Sequence, residues 1–296
     1  DAGVVELTHT IKDILSASEI ARATEELDEI IDVNIKVVKF VYNTFKDVSG
    51  FNRRKKDGCT AFMSAIAKNI NYDVIQFLYD TFKDTIDIYT QGNDTDSTDV
   101  LATMKTNVDV LKFLYNTFKS VVNVTKQDLA GNTAFILAAQ NTNVDVIKHL
   151  YDTFKNTIDI NTQNNDGNTA FIFAAQNTNV EVIRYLCDTF KDQNVDINTQ
   201  NNYGYTAFIL AAAQNTNVEV IRYLCDTFND QNVDINTQND YGDTVFMLAA
   251  RNTNVEVIRY LYDTFKDKNV DINKQNNYGY TAFILAAAQN TNVEVI

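Results

Sequence analysis

The sequence predicts an all-α repeat solenoid, in which helix-turn-helix units of 36–38 residues stack along one axis and are joined by hairpin loops. The first observation is an internal identity: the segment 201–221 recurs without a change as 276–296, 75 positions later. The second is a glycine that returns at intervals of one unit. The third is a helical spacing of apolar residues between these glycines. One such unit cannot bury both of its helices, so we expect each unit to pack against its neighbours.

Each unit opens with a tight turn. Its glycine permits a positive φ and is followed two places on by a Thr, as in Gly167 and Thr169. That Thr stands where a helix N-cap belongs, since its hydroxyl can accept from an unpaired N–H of the first turn. The recurring glycines are Gly58, Gly131, Gly167, Gly204, Gly242 and Gly279, and the Thr residues are Thr60, Thr133, Thr169, Thr206, Thr244 and Thr281.

Two helices follow each turn. A short Ala-rich helix over 170–175 is predicted to end at Asn177-Thr178-Asn179, where Asn tolerates a left-handed backbone. A second helix is predicted over 180–191, with an apolar face opposite Glu–Arg charge pairs. The expected apolar face of that helix consists of Val180, Ile183, Leu186, Cys187 and Phe190.

The last apolar position of the second helix is a Phe in every unit. We expect it to lie in an extra helical turn and to widen the outer helical layer. These residues are Phe45, Phe82, Phe118, Phe154, Phe190, Phe228 and Phe265. Two units carry one additional Ala in the first helix, Ala213 or Ala288, so the C-terminal part alternates two kinds of unit.

The ordered pattern of turn glycine, Thr, Ala-rich helix, Val-Glu-Val-Ile-Arg-Tyr-Leu and Val-Asp-Ile-Asn resembles the ankyrin repeat. The resemblance covers about residues 33–296, or seven units with the last one truncated. Residues 1–32 do not fit the repeat, and their apolar spacing favours a divergent helical N-terminal cap over a separate binding helix. The chain departs from the family where Thr-Ala-Phe-Ile replaces Thr-Pro-Leu-His, and it has no proline. Thr178, Thr216 and Thr253 replace the family's glycine between the helices.

Composition narrows the function classes. A net charge of −14 makes nucleic acid and anionic membranes poor partners. Of the three Cys, Cys187 and Cys225 hold one place in successive repeats, which predicts buried apolar packing and a reducing, cytoplasmic setting. His9 and His149 are isolated, and His149 stands where other units carry an aromatic residue. We therefore expect no enzyme activity, no metal and no cofactor.

Two segments break the pattern. The unit around 94–99 lacks the turn glycine. Its acidic residues do not match a calcium-binding loop starting at Asp94, because Asp99 and Lys105 stand where that loop requires Gly and Glu. We favour the interpretation that this unit is a loosened repeat whose helix start is exposed. The basic run 53–56 replaces the Thr-Gln-Asn-Asn of later units, which favours a solvated hairpin over an anion contact or a nuclear-import signal.

The resemblance implies that a partner protein contacts the hairpin tips and the concave face of the first helices. Tyr flanked by Asn and Gln is typical of adaptable recognition surfaces. Alternatively, the tip tyrosines stack on one another and only stiffen the row of hairpins. The candidate residues at the tips are Asn165, Asp166, Asn168, Asn202, Tyr203, Tyr205, Asp240, Tyr241, Asp243, Asn277, Tyr278 and Tyr280. At the ends of the first helices they are Gln176, Gln214, Arg251 and Gln289.

Three functions fit this pattern. The leading hypothesis is a non-catalytic protein–protein interaction scaffold. The alternative is a structural protein that assembles with copies of itself, because its repeats are more alike than a fold requires. A weaker alternative is a targeting module of a larger enzyme.

Overall fold

Helix pairs separated by glycine hairpins recur along the chain in the computed structural model. The structure describes residues 39, 60–67, 72–84, 103, 108–119, 122–191, 195–214, 217–228, 233–268 and 270–289. The predicted cap at 1–32, the basic run 53–56, the irregular unit at 94–99, Gly58, Cys59 and His9 lie outside the described residues. So does the predicted boundary between residues 32 and 33.

The chain divides into two units, 1–122 and 123–296. In the first, the described helices are α1 (Ala61–Ala67), α2 (Tyr72–Phe82) and α3 (Val108–Phe118). In the second, they are α4 (Ala134–Gln140), α5 (Val144–Phe154), α6 (Ala170–Gln176), α7 (Val180–Phe190), α8 (Ala207–Gln214), α9 (Val218–Phe228), α10 (Val245–Ala249), α11 (Val255–Phe265) and α12 (Ala282–Gln289). The predicted all-α repeat fold is confirmed.

The second unit has two helical layers. The short first helices α4, α6, α8, α10 and α12 pack one against the next, and the second helices α5, α7, α9 and α11 form the other layer. Short first helices are almost wholly apolar, as in α8, where Ala207 through Ala212 are all buried. Their alanines allow neighbouring helices to approach closely, and the extra Ala makes α8 and α12 one residue longer than α4 and α6.

Thr caps the first helices as predicted. The Thr169 hydroxyl accepts from the Ile172 N–H at 3.3 Å, and the Thr206 hydroxyl accepts from the Ile209 N–H at 3.2 Å. The same bond is made by Thr60, Thr133, Thr244 and Thr281. These bonds satisfy N–H groups that a helix start would otherwise leave unpaired.

The loop between the two helices differs from the prediction. Asn177 and Asn179 both have an extended backbone, with φ of −68° and −91°, so the expected left-handed conformation is wrong. The side chains end and start the helices instead. Asn179 Oδ1 accepts from the Glu181 N–H at 3.0 Å and caps α7, while Asn177 Oδ1 accepts from the Asn179 N–H at 2.9 Å.

Asn177 also joins two repeats. Its Nδ2 donates to the carbonyl oxygens of Ala139 and Asn141 in the preceding repeat, each at 3.0 Å. Asn252 repeats this arrangement toward Ala212 at 2.9 Å. The loop therefore forms with Thr178 in place of the family's glycine, because the buried Asn177 amide both shapes the loop and binds the preceding repeat.

In three successive described repeats, the Phe that ends the second helix packs inward. The rings of Phe190 and Phe135 lie 5.9 Å apart, edge to face, and the same contact joins Phe228 to Phe171 at 5.5 Å and Phe265 to Phe208 at 5.8 Å. Each ring therefore reaches the first helix of the preceding repeat. Our expectation that these residues widen the outer layer was wrong, because edge-to-face pairing with a buried Phe stabilises the inward position.

The solvent side of the second helices carries charge pairs, as predicted. Glu181 and Arg184 lie 3.0 Å apart, and Glu256 and Arg259 lie 2.8 Å apart. The cation also serves the next repeat, since the Arg184 guanidinium lies 4.8 Å from the ring centroid of Tyr223. His149, which is half-buried, occupies the position of Tyr185 and Tyr223, in agreement with its interpretation as a packing variant.

Cys187 and Cys225 are buried, free thiols, in agreement with the prediction. Burial raises the pKa of each thiol to about 12, because the thiolate would lose its hydration. Both groups are therefore protonated at neutral pH and act as small apolar side chains.

The role of Asn177 can be tested by Asn177→Ala. The substitution leaves the buried carbonyl groups of Ala139 and Asn141 without this donor, and we expect the free energy of unfolding to fall by about 1–3 kcal/mol. Denaturant unfolding followed by circular dichroism measures the change. The neighbouring exposed Thr178→Ala is the control and should stay within about 0.5 kcal/mol of the wild type. Equal losses in both variants would contradict the bridging role.

Candidate functional site

Each hairpin is shaped by amide side chains within it. Asn164 Oδ1 accepts from the backbone N–H groups of Asp166 and Asn168, at 3.0 and 2.8 Å. Gln163 Nε2 donates to the carbonyl of Gly167 at 2.7 Å. Asn201, Asn239 and Asn276 repeat the Asn164 pattern in later units. The tips consequently have one fixed backbone geometry.

Further hydrogen bonds join each hairpin to the preceding one. The backbone N–H of Asn202 donates to the carbonyl of Asp166 at 2.8 Å, and its Nδ2 donates to the carbonyl of Asn165 at 2.8 Å. Asn277 makes the same two bonds, to Tyr241 and Asp240, at 3.0 and 2.8 Å. The candidate residues Asn165, Asn202 and Asn277 are therefore exposed side chains that already hold neighbouring hairpins together.

Gly167 shows why the turn position excludes a side chain. Its φ is +77°, and a Cβ placed on it would lie 2.7 Å from Asn202 Oδ1 and 2.8 Å from Asn202 N. The predicted positive φ is confirmed at the five described turn glycines. The close approach of the next hairpin is a second requirement that the sequence alone did not reveal.

The residue after the glycine forms another link. Asn201 Nδ2 donates to Asn168 Oδ1 at 2.8 Å, and Asn276 Nδ2 donates to Asp243 Oδ1 at 2.6 Å. Asp243 is only 6% exposed. Among the candidates, Asn168 and Asp243 thus each accept a hydrogen bond from the Asn of the following hairpin.

The tip tyrosines, in contrast, face solvent. Tyr203, Tyr241, Tyr278 and Tyr280 are exposed, Tyr278 by 68%, and Tyr205 is half-buried. Within the described ranges no ring contact joins these five tyrosines to one another. Mutual ring stacking, the structural alternative for this row, is therefore not seen.

Several candidates surround one cleft of about 320 Å³, which we call the tyrosine cleft. It lies between the two units with an extra Ala, and the predicted residues in its lining are Tyr205, Tyr241, Asp243, Arg251, Tyr278, Tyr280 and Gln289. The lining also includes Asn276 and Leu285, which the sequence did not single out. The repeat position of Asn276, equivalent to the shaping Asn164, was the signal that could have indicated it.

The remaining candidates lie outside the tyrosine cleft. Tyr203, Asp240 and Asn277 are exposed on adjoining hairpins, and Asp166 is exposed on an earlier one. At the ends of the first helices, Gln176 Nε2 donates to Gln214 Oε1 at 2.8 Å. The equivalent residue of the next unit, Arg251, follows the end of α10, is exposed and, unlike these glutamines, lines the cleft.

The position of Tyr205 in the cleft wall raises the pKa of its phenol. Partial burial raises the pKa of its phenol, a hydrogen bond with Asn239 opposes this, and the Asp243 carboxylate raises the pKa further. The phenol is therefore neutral at physiological pH.

Among the described residues, no group of His, Cys, Asp and Glu is arranged to hold a metal ion. In the same part of the chain, no helix has both the length and the apolar character needed to cross a membrane.

Comparison with known proteins identifies the family. A family model described as ankyrin repeats (3 copies) matches residues 152–239, 190–271 and 227–296, and a second, ankyrin repeats (many copies), matches 99–151. The two models together cover residues 99–296. The chain belongs to the ankyrin-repeat family. No curated protein sequence matches it.

Solved structures agree on the fold. One that matches is the crystal structure of the ankyrin repeat domain of Bcl-3, a unique member of the IkappaB protein family. The TM-score is 0.57 and the sequence identity is 20%. The match covers 81% of this chain and 97% of the Bcl-3 chain. Ankyrin repeats are generally protein–protein interaction modules, and their domains are typically non-catalytic.

Proposed function

We propose that this ankyrin-repeat chain is a non-catalytic, cytoplasmic scaffold whose protein partner contacts the hairpin tips and the adjoining ends of the first helices. The observation that carries the proposal is the row of exposed tyrosines on hairpins fixed by amide hydrogen bonds. The contact surface would centre on the tyrosine cleft and extend to Tyr203.

Rigidity of the hairpins favours binding. Ordering a flexible loop on binding costs conformational free energy, and a hairpin already held by its neighbours avoids much of that cost. The Asn202 bonds to Asp166 and Asn165 provide this restraint on the backbone next to Tyr203. A tyrosine adds large apolar area and a polar hydroxyl with only two side-chain torsions to restrict.

The tyrosines also suit binding better than stability. Tyr278 is 68% exposed, so its replacement removes little buried area from the fold. Yet apolar area exposed on a tip is available for burial by a partner. Binding and stability should therefore respond differently to substitution.

The test is a variant in which Tyr203, Tyr205, Tyr241, Tyr278 and Tyr280 are replaced with Ser. We expect a specific partner captured from source lysate by the wild type to bind this variant at least about tenfold more weakly, because several aromatic contacts are lost. We expect the melting temperature to change little. Quantitative binding of the purified partner and thermal unfolding measure the two effects.

Tyr262→Ser is the matched control. Tyr262 is also exposed but lies on the second helix α11, outside the tyrosine cleft, so its loss should leave binding intact. Undiminished binding by the five-residue variant, with a lowered melting temperature, would show that the tyrosines serve stability alone.

A further inference from the structure

We propose that the tyrosine cleft accepts a basic side chain, Lys or Arg, from the protein partner. Asp243 would serve as the counter-ion and the surrounding tyrosines as the walls. This inference rests on the proposed partner-binding function and adds the chemistry of what the cleft recognises.

The carboxylate of Asp243 is the first argument. It is 6% exposed, and no ion pair to it is found within 4.0 Å among the described residues. Its bond from Asn276 is made equally well by an amide oxygen, because Asn132 and Asn168 accept the corresponding bond in other repeats. Repeat stacking therefore does not require a carboxylate here, although burying one costs hydration free energy. A cation that enters the cleft would compensate this cost.

The walls are the second argument. Tyr205, Tyr241, Tyr278 and Tyr280 present aromatic surfaces to the cleft, and the faces of aromatic rings attract cations. This chain uses that interaction elsewhere: Arg184 lies 4.8 Å from the ring centroid of Tyr223, and Arg222 lies 5.5 Å from that of Tyr260. A volume of about 320 Å³ also lies within the usual range for a small ligand group.

Arg251 also lines the cleft and could attract an acidic side chain instead. The two charges differ in burial, and this difference decides between them. Arg251 is exposed, so water and salt weaken its interactions, whereas the buried Asp243 acts through a medium of lower effective dielectric constant. The net charge of −14 further favours the approach of a basic partner.

The test uses the full chain and three blocked peptides that differ only in a central Lys, norleucine or Glu. Binding is followed by NMR titration of the tyrosine side-chain signals at constant ionic strength. We expect the Lys peptide to bind about tenfold more tightly than the norleucine peptide and to shift the signals of Tyr205 and Tyr280, since charge-assisted contacts are the stronger ones. The Glu peptide should bind most weakly.

Asp243→Asn and Asp240→Asn form a matched pair of variants. Each removes one negative charge from the same hairpin, but only Asp243 lines the cleft, and Asp240 is exposed. Asp243→Asn should fold, because Asn occupies this position in two other repeats. We expect it to abolish the preference for Lys over norleucine, and Asp240→Asn to retain most of it.

Three results would overturn the inference: tighter binding of the Glu peptide, no measurable difference between Lys and norleucine, or an equal loss of preference in both Asp variants. Each is distinguishable from failure of the proposed function. Tyrosine-dependent capture of a partner without any Lys preference leaves the scaffold role standing. If the Lys peptide is preferred but the partner binds without the tyrosines, the inference about the cleft stands and the proposed partner-binding surface is wrong.

Discussion

The structure of residues 123–296 depends on amide side chains that bond from one repeat to the next. Asn177 bonds to the carbonyls of Ala139 and Asn141 at the C-terminal end of α4, and Asn202 bonds to Asn165 at the hairpin tips. Apolar burial supplies most of the favourable free energy of such a stack, but it does not fix the relative position of two loops. Directional hydrogen bonds to backbone carbonyls fix that position. Asn and Gln are suited to make them because one side-chain amide can donate and accept at the same time.

This constraint explains the departures from the usual family sequence. A chain without proline lacks a residue that pre-sets the start of the first helix, and here the Thr169 hydroxyl and the Asn164 amide define that start instead. The glycine between the helices is replaced by a loop of extended residues held through Asn177 and Asn179. The same constraint gives separate roles to residues that are neighbours in the hairpin sequence: the amides link repeats, and the tyrosines remain available to a partner.

Much of the fold could be predicted from the sequence because its signals are local. A glycine before Thr169, an apolar run and the spacing of Ile183 and Leu186 each report on a few neighbouring residues. The inward packing of Phe190 on Phe135 could not be predicted, since periodicity does not say which repeat a side chain meets. For the same reason, the sequence grouped Asn202 with Tyr203 as contact residues, although Asn202 is engaged by the preceding hairpin. Residues of three successive hairpins line the tyrosine cleft, so only the structure shows that the buried Asp243 shares it with the tyrosines.

Hydrogen exchange of the hairpin backbone amides tests the central claim most directly. The N–H groups of Asn165, Asn202, Asp240 and Asn277 each donate to a carbonyl of the preceding hairpin. If these bonds hold the repeats in register, NMR of the intact chain should show their exchange slowed about a hundredfold or more relative to an unstructured peptide. Exchange of these four amides at the unstructured rate, while the amides of α6 and α8 stay protected, would contradict the account.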